Sequence, residues 1–121
     1  MTYAIEAKPL WQPNPNTVGD TRMAMFMQAM GHGRYAALWQ WSIDQPEVFW
    51  SKLWDFCGAV GDKGQTVLRD GDRMPGARWF PEARLNYAEN LLKNRDEGEA
   101  LVFWGEDKVK RRLSRAELYA E

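Results

Sequence analysis

The sequence predicts a mainly α-helical fold with minor β structure: a small helical domain, followed by the first hairpin and helix stub of a second, larger α/β domain. Three observations predict it. The stretch DQPEVFWSKLWDFCG, Asp44 to Gly58, places Phe49, Trp50, Leu53, Trp54, Phe56 and Cys57 on one broad arc at about 100° per residue, with Ser51, Lys52 and Asp55 opposite. Shorter apolar sets at helical spacing lie on either side of it. After the charged segment NRDEGE, residues 94–99, the helical spacing gives way to a continuous apolar run, Ala100 to Trp104.

Composition bounds the class. A chain of 121 residues and 14.1 kDa is long enough to bury a core and short enough to be one domain. With 45% hydrophobic residues and seven Trp it is not a disordered chain. The net charge of −1 supplies no global field to recruit nucleic acid or an anionic membrane. A single cysteine, Cys57, cannot form an internal disulfide, which fits a reducing, cytoplasmic setting. The sequence has neither an apolar run near 18 residues nor an export signal, and no internal repeat is visible.

In chain order, residues 1–19 carry Pro9, Pro13 and Pro15 and read as an extended arm, with Leu10 and Trp11 as an apolar pair able to pin it to a groove. From Asp20 a short helix is expected, with Met23, Phe26, Met27 and Met30 facing the core, broken at Gly31-His32-Gly33. A second, from Tyr35 to Ser42, turns Tyr35, Leu38 and Trp39 to one side and Trp41 to another. The Asp44 helix follows, opened by a capping box of Asp44 and Glu47 with Pro46 in the first turn, and stopped by Gly58. Gly58 to Gly64 is a loop, Thr66 to Leu68 a short strand, and Gly71 to Gly76 irregular. Trp79-Phe80 is an aromatic pair held in a turn; Leu85, Ala88, Leu91 and Leu92 fit a third core-facing helix. Ala100 to Trp104 and Lys110 to Leu113 form a hairpin around Glu106-Asp107-Lys108. Ser114 and Glu117 form a further capping box. The helix they open reaches Glu121 within two turns, too short to hold alone, and an LVFW strand wants cover on both faces. The expectation is a chain cut inside its second domain. The expected core is Trp39, Phe49, Trp50, Leu53, Trp54, Phe56, Trp79, Phe80, Leu85 and Leu91.

Two segments, YAALWQWSIDQPEVFWSKLWDFCG and GDRMPGARWFPEARLNYAENLL, carry a family resemblance. The positions are Tyr35, Ser42, Pro46, Glu47, Phe49, Trp50, Trp79, Phe80, Leu85 and Asn86. With the continuation Asn86-Tyr87-Ala88-Glu89-Asn90-Leu91-Leu92, the chain resembles the N-terminal region of acetoacetyl-CoA synthetases. These are acyl-adenylate-forming ligases related to acetyl-CoA synthetase, and the likeness runs over about residues 35–121. Beyond the arm and short helix of residues 1–34, it implies 35–93 as an acetyl-CoA-synthetase-type N-terminal domain and 94–121 as the beginning of the AMP-binding domain. It also implies, for the full-length enzyme, ATP, Mg and CoA, and conversion of acetoacetate to acetoacetyl-CoA through an acyl-adenylate. The family's catalytic motifs lie downstream, so the resemblance places no catalytic, cofactor-binding or metal residue on this chain, which is expected to be inactive alone. Its expected partner is the rest of the ligase in cis, with self-association through an apolar hairpin possible and neither nucleic acid nor membrane bound. The competing expectation is a stand-alone interaction or oligomerisation module driven by exposed Phe103, Trp104 and Leu118.

Motifs with a chemical reading are better explained structurally. In GAVGDKGQT, Gly58 to Thr66, Asp62 puts a negative charge where phosphate would sit and no Ser or Thr follows Lys63, so the segment reads as a flexible connection, not a phosphate loop. His32 has no companions at ligand spacing. Cys57 has no evident base and is expected inside the packed helix, inert. Lys108 to Arg112 reads as the solvent face of a strand. Arg78, Arg84 and Asn86 flank Trp79-Phe80 and could hold an anion such as a CoA phosphate, but a structural role, satisfying backbone carbonyls or pairing with Glu82 or Glu89, is the simpler expectation.

Overall fold

Among residues 10–106 and 108–121, which the computed structural model describes, the chain forms six helices and two antiparallel two-stranded ribbons. It divides between Phe49 and Trp50 into two compact units.

The first unit opens with a short helix where an extended arm was expected. Asn14 accepts a hydrogen bond from the Asn16 N–H at 2.9 Å, and Pro15 takes the first position of α1 (Pro15–Gly19), where no backbone donor is needed. The arm before Leu10 lies outside the described residues. Leu10 and Trp11 are exposed and pin nothing. Thr21 caps α2 (Arg22–Ala29), its hydroxyl accepting from the Ala24 N–H at 3.1 Å. The helix stops at Gly31, whose φ of 76° lets its N–H reach the Gln28 carbonyl (3.1 Å) and the His32 N–H reach that of Met27 (2.8 Å).

In α3 (Tyr35–Asp44) the inward face differs from expectation. Leu38 is buried and Trp41 half-buried, whereas Tyr35 and Trp39 are exposed. Rings build the core of this unit. Phe49 meets Phe26 edge-on at 5.8 Å and Trp41 at 5.6 Å, and Trp41 lies 5.0 Å from the His32 ring.

The central helix, α4 (Pro46–Cys57), begins without the Asp44–Glu47 box. Asp44 is still the last residue of α3, where its carboxylate accepts from the Gln40 amide at 2.9 Å; Gln45, between the helices, supplies the first carbonyl, to the Phe49 N–H at 3.0 Å. The stop is as expected. Gly58, at φ 60°, donates to the Asp55 carbonyl (3.0 Å), and Ala59 to that of Trp54 (3.2 Å). Cys57 is exposed, not packed inside.

In the second unit, β1 (Leu68–Arg69) pairs with β2 (Arg78–Trp79), displaced from the expected strand at Thr66 to Leu68. Adjacent strand residues point to opposite faces. Phe80, with φ 44°, breaks that alternation, so that Trp79 packs on Trp50 (5.6 Å) while Phe80 packs on Trp54 (5.1 Å), one turn along α4. Asn86 caps α5 (Tyr87–Leu91) by accepting from the Glu89 N–H at 3.1 Å.

The hairpin stands where expected. β3 (Glu99–Trp104) pairs with β4 (Lys110–Ser114), Leu101 opposite Leu113 and Trp104 opposite Lys110, with a bulge between Glu99 and Leu101. Ser114 and Glu117 exchange both hydrogen bonds of their capping box, at 3.1 and 2.8 Å, opening α6 (Arg115–Ala120). The charged segment before the hairpin is a clasp. The Asp96 carboxylate accepts from the Gly98 N–H (2.8 Å) and the Arg115 guanidinium (2.6 Å), and the Asp96 carbonyl accepts from the Ala116 N–H at 3.0 Å.

The expected core needs correction. Of its ten members, Trp39, Trp50, Trp79, Leu85 and Leu91 are exposed and the remainder half-buried. Phe26 and Leu38, outside that set, are the buried side chains among the described residues, at 3% and 4% exposure. Small units have too little interior to enclose a large ring on every side, so indoles meet edge to edge and leave an outer face bare.

Candidate functional site

The glycine loop after α4 was expected to be a flexible connection. It is instead tied at every turn. Lys63 reaches back to Asp55 (2.8 Å) and Ser51 (3.1 Å) on α4. The Asp62 carboxylate accepts from the Gly64 N–H at 2.9 Å, occupying the amide a phosphate would need. Asp62 and Arg84 exchange backbone bonds of 2.9 and 2.8 Å, and Asn90 both donates to and accepts from the Val60 backbone at 2.7 Å. Lys93 closes the other end on the Cys57 and Gly58 carbonyls, both at 2.9 Å. Lys63 and the amides of Val60, Asp62, Gly64, Gln65 and Thr66 are thus committed within the fold. Among the described residues no group of three His, Cys, Asp or Glu is gathered to hold a metal.

The arginines beside Trp79-Phe80 divide. Arg84 acts through its backbone in the Asp62 bridge, and Asn86 is a helix cap. Neither Arg78 nor Arg84 pairs with Glu82 or Glu89 among the described residues. Glu82 serves the loop instead: its carboxylate accepts from the Gln65 and Thr66 N–H groups at 3.0 and 3.3 Å and from the Thr66 hydroxyl at 2.9 Å, with Arg69 3.6 Å away. These bonds, the Gln65 amide first, hold the Glu82 pKa below the ordinary carboxylate value. Asp96 is lowered likewise, by the Gly98 amide and then by Arg115. Sequence reading missed Glu82, Asn90 and Lys93 as organisers. Each acts on residues 16 to 36 positions away, and no local pattern announces such a partner.

The arrangement left with unmet physical demand is the hairpin. Leu101, Val102, Phe103 and Trp104 are 50%, 48%, 59% and 65% exposed, although they alternate between both faces of β3. One face, with Leu101, Phe103, Val109, Arg111 and Leu113, lines an open groove of about 340 Å³. On the other, Lys110 sits 4.1 Å over the Trp104 ring. The basic residues of β4 are satisfied as a charged strand: Arg111 pairs with Glu121 at 3.0 Å and Arg112 with Glu99. Leu118, expected among the exposed residues, is half-buried on α6.

Comparison with known proteins meets this geometry. Residues 35–91 match the family described as acetyl-coenzyme A synthetase N-terminus. An acetoacetyl-coenzyme A synthetase of Rhizobium meliloti (strain 1021) is 46% identical over 119 residues, covering 93% of this chain and 18% of the relative. A malonamoyl-CoA synthetase of Penicillium aethiopicum is 40% identical over 60 residues, 48% of this chain and 8% of its own length. In structure, the chain is similar to an acetoacetyl-CoA synthetase from Streptomyces lividans, with a TM-score of 0.77 at 35% identity, over 92% of this chain and 19% of that one. The chain thus spans about a fifth of the length of the ligases it matches. From Tyr35 to Leu91 it belongs to the acetyl-coenzyme A synthetase N-terminus family, and as a whole it corresponds to the N-terminal segment of acetoacetyl-CoA synthetases.

Proposed function

We propose that this chain is the head of an acetoacetate–CoA ligase and acts there as a structural cap on the adenylate-forming domain. In this reading residues 35–93 are the cap and residues 94–121 the first hairpin and helix of the catalytic domain, in a cytoplasmic enzyme. The whole ligase would join acetoacetate to CoA at the expense of ATP, with magnesium on the nucleotide, by way of an acyl-adenylate. One observation supports it above the others: the likeness to acetoacetyl-CoA synthetases extends over 93% of this chain but 18% of the relative. The committed loop and the undocked hairpin agree with a part that packs and does no chemistry. A malonamoyl-CoA synthetase carries a similar segment, so acid choice is assigned to the remainder of the enzyme.

The test is the size of the native product in cell extract, detected with an antibody raised against residues 35–92. A species several times larger than 14.1 kDa supports the ligase head. A species of 14.1 kDa overturns it and favours a separate interaction module, a reading that the bare apolar residues of β3 would then explain. Purified alone, the chain is expected to release no AMP or pyrophosphate from ATP with acetoacetate and CoA.

A further inference from the structure

We propose that the outer edge of β3, through the backbone N–H and C=O groups of Val102 and Trp104, is the line along which an uncharged, apolar strand of the remaining ligase polypeptide adds to the hairpin. This rests on the ligase-head reading and makes it specific. The register fixes which groups are free. The Gly105 N–H donates to the Val109 carbonyl at 2.7 Å, so Gly105 and Val109 form a hydrogen-bonded pair. Bonded and non-bonded pairs alternate along an antiparallel ladder. Phe103 with Arg111 and Leu101 with Leu113 are therefore bonded pairs, whereas Val102 with Arg112 and Trp104 with Lys110 are not. The amides and carbonyls of Val102 and Trp104 face away from β4.

The two edges of the ribbon differ. That of β4 carries Lys110, Arg111 and Arg112, the charged residues with which sheet edges resist pairing. The β3 edge runs through Leu-Val-Phe-Trp, with no charge from Ala100 to Trp104. Both of its faces are apolar and half-bare, the pattern of a strand that lies inside a sheet and not at its margin. The occupant has to bring backbone groups in an extended run and apolar side chains on both faces. Four-fifths of the length of the similar ligases lies outside this segment and is available to supply it.

The experiment joins this chain to the Rhizobium meliloti relative in place of that enzyme's matching segment, and reads amide hydrogen exchange residue by residue. In the chain alone, Val102 and Trp104 should exchange at least about tenfold faster than Leu101 and Phe103. In the joined protein they should slow by about a hundredfold or more. Val102→Pro deletes an outward N–H; it should leave Phe103 protected in the chain alone, yet abolish the added protection of Trp104 in the joined protein. An active joined protein in which Val102 and Trp104 still exchange fast overturns the edge and leaves the ligase head standing. Protected amides in an inactive protein support the edge and count against the head. A joined protein that cannot be obtained folded counts against both.

Discussion

Alanine at Gly61 should cost far more than alanine at Gly58, although both glycines hold positive φ in one loop. At Gly58, with φ 60°, a methyl group would meet open space apart from the flexible Lys93 ammonium 3.7 Å away. A left-handed L-residue costs about 1–2 kcal/mol, offset by about 0.4–1 kcal/mol from the stiffer unfolded chain. Gly58→Ala should therefore destabilise by about 0–1.6 kcal/mol. Gly61, at φ 143°, is different. A Cβ there would lie 2.6 Å from the Arg84 carbonyl oxygen and 2.7 Å from the Leu85 Cβ. The backbone region alone costs about 1–3 kcal/mol. Relief of the contact requires the 84–85 backbone to retreat, which stretches the two Asp62–Arg84 hydrogen bonds, each worth about 0.5–1.5 kcal/mol net. Gly61→Ala should total about 3 kcal/mol after the unfolded-state offset. Urea unfolding followed by tryptophan fluorescence measures both variants, and exchange of the Asp62 and Arg84 amides localises the damage. Equal costs for the two substitutions, or a Gly61→Ala protein whose Arg84 amide remains protected, would refute the argument.

Other outcomes follow from the same contacts. Leu38→Ala should destabilise the first unit by about 2–5 kcal/mol, and Trp39→Ala on the exposed side of the same helix by much less, measured by thermal unfolding. Ser114→Ala should cost about 1 kcal/mol and speed exchange at the start of α6, because it removes half of the capping box. Glu82 and Asp96 both have pKa values lowered in the fold, so the unfolded chain binds protons first as pH falls. Their stabilisation is complete above the ordinary carboxylate values of 4.5 and 3.8 and is lost as pH drops through the lower folded-state values; in a pH series of melting temperatures, Glu82→Gln should flatten that acid limb.

What could be read in the sequence was what neighbouring residues decide among themselves. The Gly58 stop, the Ser114–Glu117 box and the hairpin are settled within a few positions, and the structure has each of them. Asp44 shows the limit of such reading. Its spacing from Glu47 suits a cap, but Gln40, four residues back on the preceding helix, takes its carboxylate first. The loop from Gly58 to Thr66 shows a second limit. Its composition reads as freedom, yet Asn90, Glu82 and Lys93 bind it from far along the chain. The bonds that Asp62 and Lys63 make within the fold, to the Gly64 amide and to Asp55, were not legible from their spacing.

The aromatic residues carry the argument one step further. An arc of large apolar side chains records which face a helix can bury, not how much cover is at hand. On α4 the arc from Phe49 to Phe56 is real: Trp50 and Trp54 receive Trp79 and Phe80, and Phe49 receives Phe26 and Trp41. Yet Trp50 and Trp79 stay exposed in that embrace, and so do all four residues of the LVFW run. Covering a half-exposed indole or phenyl ring stabilises by roughly 25 cal/mol per Å² of apolar surface removed from water. Such residues are held in a sequence at a cost in solubility unless something covers them. In β3 the cost is compounded, since its outward amides also lack a protein partner among the described residues. Side chains and backbone there call for the same remedy, an added strand, and a loose apolar contact would satisfy only one of them. Protection at Val102 and Trp104 is for that reason the decisive reading.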